Sequence, residues 1–405
     1  MKIVGLITEY NPFHAGHLYH MQRARELTGA DDCVVLMSGS FVQRGEPAIF
    51  DKYRRTKAAL LAGADLVLEM PVAFSTASAH EFAAYGVALL SAIGVDAVVF
   101  GSECGQIEFL KQAASALNHE SAEFQERLRK GLKAGLTYPQ ARAKALEMED
   151  TWASVLTSPN NILGIEYLRA AEDLHSPMEF YTISRKGSGY HEDTLADANF
   201  PSASAIRGII RNSLSKDKDL LDILASHLPA VTHPAYTGAV PVFVDDFSEL
   251  LNAAVLQMQA TFSIADLSPE LAARLTKPPY FPLSFEERIQ ALKTRQLTYT
   301  RVSRALLHLV LGMREEDISR WKDEGYALYA RILGFRRQSS PLLSCLHKKS
   351  SIPLITKMAD AAQSLAPSAL ALLEQEVYAS HLYQTVRIKR GGVFQNEYTE
   401  GLVFV

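Results

Sequence analysis

Short apolar runs separated by helix-length segments fill the first hundred residues, and that alternation leaves few folds open. Lys2 to Ile7, Asp32 to Met37, Asp65 to Met70 and Asp96 to Phe100 are such runs, bounded by Gly, Asp or Pro. Between them, Leu18 to Leu27, Asp51 to Ala62 and Ala79 to Ile93 carry the helical period. Strands alternating with helices build βαβ units, whose parallel sheet is covered on both faces. Gly105 to Glu147 reads as helical and rich in charge, Ser158 to Gly164 as a loop entering a helix through Ala171, and Glu179 to Ser184 as a further strand. A polar loop, Arg185 to Pro201, then precedes a helix that opens at Ser202.

The texture changes after about Ser213. Pro-containing connectors (Leu228 to Pro241, Lys277 to Leu283) punctuate helical segments such as Phe285 to Leu292 and Arg301 to Leu311, and few β-branched runs occur until Pro241 to Val244 and the very end. A chain of 405 residues usually divides into two or three domains. The expected architecture is α/β: a Rossmann-like parallel-sheet domain over residues 1–213, followed by a mainly α-helical domain over residues 214–405.

Composition narrows the partners. With 41 basic against 45 acidic residues and a net charge of −4, the chain is not a globally basic nucleic-acid coat, although a local basic patch is compatible with it. Cys33, Cys104 and Cys345 are far apart with no Cys-x-x-Cys pair, which argues against a disulfide framework or a structural zinc site and suits a reducing cytosol. The apolar stretch before Glu9 is too short for a signal peptide, and Ala83 to Val95 falls short of the roughly 20 residues that cross a bilayer. A cytoplasmic protein with no membrane contact is expected, and no protein partner is evident.

The residues richest in chemistry run from Ile7 to His20: Ile7, Thr8, Glu9, Tyr10, Asn11, Pro12, Phe13, His14, Ala15, Gly16, His17, Leu18, Tyr19 and His20. They follow the first strand and open the first helix, the position outside the carboxyl ends of parallel strands where ligands bind. A helix N-terminus attracts phosphate, and two histidines three apart lie on one side of its first turn. His14 and His17 are therefore placed to donate hydrogen bonds to a triphosphate attacked at its α-phosphorus, a reaction catalysed mainly by electrostatic positioning. Gly16 would let the nucleotide approach the backbone. Metal ligation by the pair is the other reading, but Cys, Asp or Glu partners at ligand spacing are not evident nearby. A second motif, Ser202-Ala203-Ser204-Ala205-Ile206-Arg207, combines a serine cap with an Arg one turn in, suited to β- and γ-phosphates. Ser-x-Ser caps are common, so this motif gains meaning only beside the first; together they resemble the arrangement of the nucleotidyltransferase superfamily.

Longer stretches sharpen the likeness. Thr8 to His20, Met37 to Pro47, Asp65 to Pro71, Phe100 to Glu103, Ser158 to Tyr167 and Arg185 to His191 resemble the bacterial tRNA(Met) cytidine acetate ligase family. The likeness continues more weakly through Tyr299 to Gly312 and Arg331 to Phe335, so it spans almost the whole chain in order. The family more often has Asn at the position of Ala15. The resemblance implies that ATP and acetate form acetyl-adenylate and pyrophosphate, and that the acetyl group passes to the exocyclic amine of the wobble cytidine of elongator tRNA(Met). It implies that Ile7 to His20 hold ATP together with Gly101, Asn160 or Asn161, Arg185, Ser202 and Ser204. His14 and His17 would act at the α-phosphate and Arg207 on the leaving pyrophosphate. Each has a plain structural reading too: Gly101 as a strand end, Asn160 as a turn residue, Arg185 as a solvated loop charge. Mg2+ is expected on the phosphates, which would supply most of its ligands.

Gln43 and Arg44, near the end of the second strand, suit acetate or RNA, or are plain surface. For RNA the basic candidates are Lys293, Arg295, Arg301 and Arg304; Arg336 and Arg337; Lys348 and Lys349; and Arg387, Lys389 and Arg390, the last cluster being the first choice. Two other readings stay open: a small-molecule adenylyltransferase joining AMP to a phosphorylated metabolite, and a non-catalytic, ATP-responsive RNA-binding protein.

Overall fold

A computed structural model describes residues 1–145, 155–184, 201–214, 219–258, 263–277 and 281–405. The expected strands form β1 (Ile3–Thr8), β2 (Asp32–Ser38), β5 (Leu66–Met70), β6 (Ala97–Ser102) and β7 (Glu179–Ser184), with a small hairpin, β3 (Phe41–Val42) and β4 (Glu46–Pro47), after β2. These five sheet strands lie in the order β5-β2-β1-β6-β7, all parallel. Helices α1 (Ala15–Thr28) and α2 (Lys52–Leu61) follow β1 and the hairpin, and Ala79–Ala92 leads into β6. The Rossmann-like α/β expectation therefore holds.

The period of two along each strand decides which side chains meet which helices. Ile3, Val34, Leu36, Leu66 and Leu68 join one core with Leu89, Leu90 and Ile165. Val4, Leu6, Val35, Met37 and Val67 join a second core with Met21, Ala24, Ala58 and Ala59. One core thus lies under Ala79–Ala92 and Pro159–Asp173, the other under α1 and α2. Because both faces are covered, every residue of β5 is buried, and that is why the run reads as uninterrupted apolar sequence apart from Glu69.

The remainder is mainly helical, from Ser248–Gln257 and Phe285–Leu292 to Tyr299–Leu311 and the long Pro367–Lys389. It also returns to the sheet. β8 (Ala330–Phe335) pairs antiparallel with β5, and β9 (Leu354–Ile355) and β10 (Val403–Phe404) pair parallel with β8. The sheet therefore runs past residue 213, where the sequence suggested a first domain closing. β8 escaped the sequence reading because Arg331 interrupts its apolar run; Pro241 to Val244 forms no strand. Helix starts were also misplaced. α1 begins at Ala15 rather than Leu18, and the expected loop Ser158 to Gly164 is already helix from Pro159, which sits at the first position where proline costs no hydrogen bond. Among the described residues no helix is long and apolar enough to cross a membrane.

Candidate active site

β2 and β6 flank β1 on opposite sides, so the chain turns in opposite directions at the carboxyl ends of β1 and β6, leaving a crevice between them. The first turn of α1 fills its mouth. His14 is the N-cap, in extended backbone, and its Nδ1 accepts from the Gly16 N–H at 3.0 Å. The His17 Nδ1 accepts from the His14 N–H at 3.2 Å, closing a reciprocal cap in which both members are imidazoles. A ring nitrogen that accepts carries no proton, so each neutral ring keeps its proton on Nε2. The rings stack with centroids 3.8 Å apart, and His17 packs against Tyr10 at 4.8 Å and Phe13 at 5.7 Å. Two imidazoles held in this way at a helix N-terminus have the chemistry that suits an anion.

Gly16 has a reason other than the one expected. A Cβ there would lie 2.8 Å from His14 Cε1 and 3.1 Å from its Nδ1, so the glycine makes room for the capping ring itself. Gly16→Ala should swing His14 off its cap and lose about 0.5–2 kcal/mol of stability, which thermal unfolding would register.

The rest of the segment divides between access and support. Ile7, Glu9 and Ala15 to His20 are partly exposed, whereas Thr8 and Tyr10 to His14 are buried. Asn11 accepts from Ile49 N at 2.7 Å, the Phe13 N–H donates to Tyr236 Oη at 3.4 Å, and His20 Nε2 lies 3.0 Å from the Val99 carbonyl on β6. Asn11 and Phe13 thus hold the loop in shape, and His20 ties α1 to the sheet. Arg55, fully buried and not singled out in the sequence, donates to the carbonyls of Glu9, Ser38, Gly39 and Phe50, fastening the β1 and β2 exits to one guanidinium.

The second motif arrives beside the first. Ser202 Oγ accepts from Ala205 N at 3.2 Å and caps the helix Ala203–Leu214. Arg207 donates to the Asn11 carbonyl at 2.8 Å and to Ser204 Oγ at 3.2 Å, bringing its guanidinium within three residues of His14. Gly101 lies near the carboxyl end of β6, paired with Ile183. The asparagines are structural first: Asn161 Oδ1 accepts from Glu103 N at 2.9 Å and Cys104 N at 3.1 Å, and Asn160 Nδ2 donates to Glu103 Oε1 at 2.6 Å. They shape the loop after β6. Arg185 lies outside the described residues.

The basic candidates separate by edge. Arg336 sits 3.8 Å from Asp65, just before β5, and Lys349, beside Lys348, lies 3.6 Å from Asp96, just before β6. Both clusters therefore flank the edge where the parallel strands begin, opposite the histidines. Arg387 is buried, at 3.0 Å from Asp51, and also donates to Gln395 Oε1 and the Val393 carbonyl. Its expected RNA role gives way to a structural one, because a guanidinium enclosed on Asp51 cannot reach a phosphate. Lys389 and Arg390 remain at the surface, paired with Glu249 and Asp246.

With this geometry in place, kinship can be read. The HIGH Nucleotidyl Transferase family model matches residues 1–395. A tRNA(Met) cytidine acetate ligase from Acetivibrio thermocellus is 39% identical over 395 residues, covering 95% of this chain and 94% of that protein. The chain belongs to the tRNA(Met) cytidine acetate ligase family. Another ligase, from Clostridium novyi, is 39% identical over 88% of this chain and 90% of its own length. Among solved structures, Thermotoga maritima TmcAL bound with alpha-thio ATP is 31% identical with a TM-score of 0.89, covering 100% of this chain and 99% of that one. Its apo form gives 0.90 at the same identity, covering both chains fully. Agreement over that full length means that β8 to β10 and the C-terminal helices belong to the ligase architecture as much as the parallel sheet does.

Proposed function

We propose that this chain activates acetate with ATP, forming acetyl-adenylate and pyrophosphate, and transfers the acetyl group to the exocyclic amine of the wobble cytidine of elongator tRNA(Met). The observation that supports the reading is the reciprocal imidazole cap, which orders both histidine rings in the first turn of α1, beside the crevice at the β1/β6 switch point. Acetate oxygen attacks the α-phosphorus while the bond to pyrophosphate breaks. The charge that builds on the α-phosphate oxygens meets donors already in place, and Arg207 meets the departing pyrophosphate. Residues 1–213 supply this chemistry, and residues 214–405 present the tRNA. Magnesium would ride on the phosphates, which would supply most of its ligands, and would neutralise their charge.

Pyrophosphate exchange into ATP tests the activation step. Exchange that requires acetate, followed by acetylation of tRNA(Met), supports the proposal. Exchange that requires a phosphorylated metabolite instead points to a small-molecule adenylyltransferase. No exchange, with tRNA binding intact, would leave a non-catalytic RNA-binding protein.

A further inference from the structure

A cleft of about 220 Å3 opens beside Arg207. Its walls come from five places in the chain: Glu46 on the β3–β4 hairpin, Arg207 and Arg211 on Ala203–Leu214, Phe243 after the connector, and Glu286 and Tyr299 at the starts of two helices of the second half. One buried water needs only ~10–15 Å3 of such space, so the cleft has room for a ligand of ring size. It adjoins the nucleotide site, because the Arg207 in its wall is the one bonded to the Asn11 carbonyl.

The carboxylates in the wall differ. Glu286 is already engaged, accepting from Tyr299 Oη at 2.5 Å and from Gln290 Nε2 at 2.7 Å. Glu46, 21% exposed, has Arg207 at 3.9 Å as its ion-pair neighbour and takes no hydrogen bond among the described residues. Its place is fixed from below: Ser303 Oγ donates to the Gly45 carbonyl at 2.9 Å, and a Cβ on Gly45 would come within 2.4 Å of the Arg304 backbone nitrogen. The turn before Glu46 therefore sits hard against the helix Tyr299–Leu311, where only glycine fits. Burial raises the pKa of Glu46. Arg207 and Arg44 oppose that rise, whereas Glu9 and Glu286 add to it. At the rim, Arg211 and Arg390 lie over the Phe243 ring at 4.9 and 5.2 Å, a cationic and aromatic border suited to an unpaired base and its flanking phosphates.

We infer that this cleft seats the acceptor nucleobase, with Glu46 accepting a hydrogen bond from its exocyclic amine and then taking the amine proton. The inference rests on the acyl-adenylate reading above. An acidic side chain accepting from the 4-amino group is the pairing by which proteins recognise cytosine. In the step, the amine nitrogen attacks the acetyl carbonyl carbon and a C–N bond forms. The bond from that carbon to the AMP oxygen breaks, AMP leaves with the electron pair, and the proton released from nitrogen passes to the Glu46 carboxylate. A carboxylate whose proton affinity burial has raised is the better base for this task.

Glu46→Gln keeps the shape and removes the ability to take a proton. In the full-length protein, acetyl transfer to tRNA should fall by roughly 10²–10⁴, at least about tenfold further than acetate-dependent pyrophosphate exchange falls. The acidic limb of the wild-type transfer pH profile, where Glu46 becomes protonated, should vanish in the variant. Glu46→Asp, which retains a carboxylate, should recover part of the transfer rate, and thermal unfolding of both variants checks that the hairpin still docks. Parallel loss of exchange and transfer would assign the cleft to the leaving pyrophosphate and overturn the inference, as would unaffected transfer. Wild-type protein lacking acetate-dependent exchange would instead overturn the underlying function, a different and recognisable result.

Discussion

Replacing His17 with alanine should lower acetate-dependent pyrophosphate exchange by about 10²–10³, the loss measured when one preorganised donor to a developing oxyanion is removed, or roughly 2.7–4 kcal/mol of barrier. The same change also removes the acceptor for the His14 N–H and the stacking partner of the His14 ring. Its cost to the fold is that of one lost cap, about 0.5–2 kcal/mol, so activity should fall far more than stability. Exchange assays beside thermal unfolding measure both on one preparation. His17→Asn adds a finer test, because an amide offers an acceptor for the cap and an N–H donor, and should restore stability more fully than activity. A variant lacking His17 that still exchanged within tenfold of wild type would remove the histidine pair from the mechanism.

Lys52→Met should be the most damaging substitution for stability. Lys52, 1% exposed, reaches Glu69 at 2.5 Å, Glu397 at 3.0 Å and Glu376 at 3.5 Å, and Arg331 bonds Glu69 at 2.7 Å and also Glu397. Burial, reinforced by the neighbouring Glu69, pushes the Glu376 carboxyl well above the usual carboxylate range. Three carboxyl groups thus face two cations in a cluster enclosed between β5, β8, the long C-terminal helix and the tail. Methionine fills much of the lysine volume but leaves the three buried carboxyl groups facing one guanidinium, and breaking such a pair costs about 3–5 kcal/mol. Chemical denaturation should show a midpoint lowered to match. The cluster also gives the fold an acid limb. Burial opposes the charge on Glu397, but Lys52, Arg331 and Ser380 outweigh it and hold its pKa below the usual carboxylate range. A depressed carboxylate contributes stability at neutral pH and loses it as pH falls below its unfolded pKa. In Lys52→Met that acid-dependent loss should be smaller, since less stabilisation is present to lose. A shift of under 1 kcal/mol would mean that the cluster is not what joins the C-terminal part to the sheet.

Both predictions concern residues whose neighbours differ in how far away they lie in sequence, and the same distinction separates what could be read early from what could not. The histidine cap is complete within four residues, so its location after β1 was legible. Arg207 was legible as a helix-opening arginine, though its bond to Asn11 links positions nearly two hundred apart. Arg387 was misassigned because a basic residue near a C-terminus looks solvated until Asp51 is found against it. Glu69 offered a signal that went unused: one acid inside an otherwise apolar strand requires a buried cation, and Lys52 and Arg331 supply two.

From the sequence alone came the parallel sheet, through the short apolar runs and the helix-length spacers, and the placing of His14 and His17 after the first strand, because short runs and local caps are properties of a segment. Tertiary structure alone decided that β8, β9 and β10 extend the sheet, that Arg55 and the Lys52 cluster are enclosed, and that Glu46 faces the same cleft as Arg207 and Tyr299. Those outcomes depend on which distant side chains exclude water from one another, and burial of that kind is a property of the assembled chain rather than of any segment.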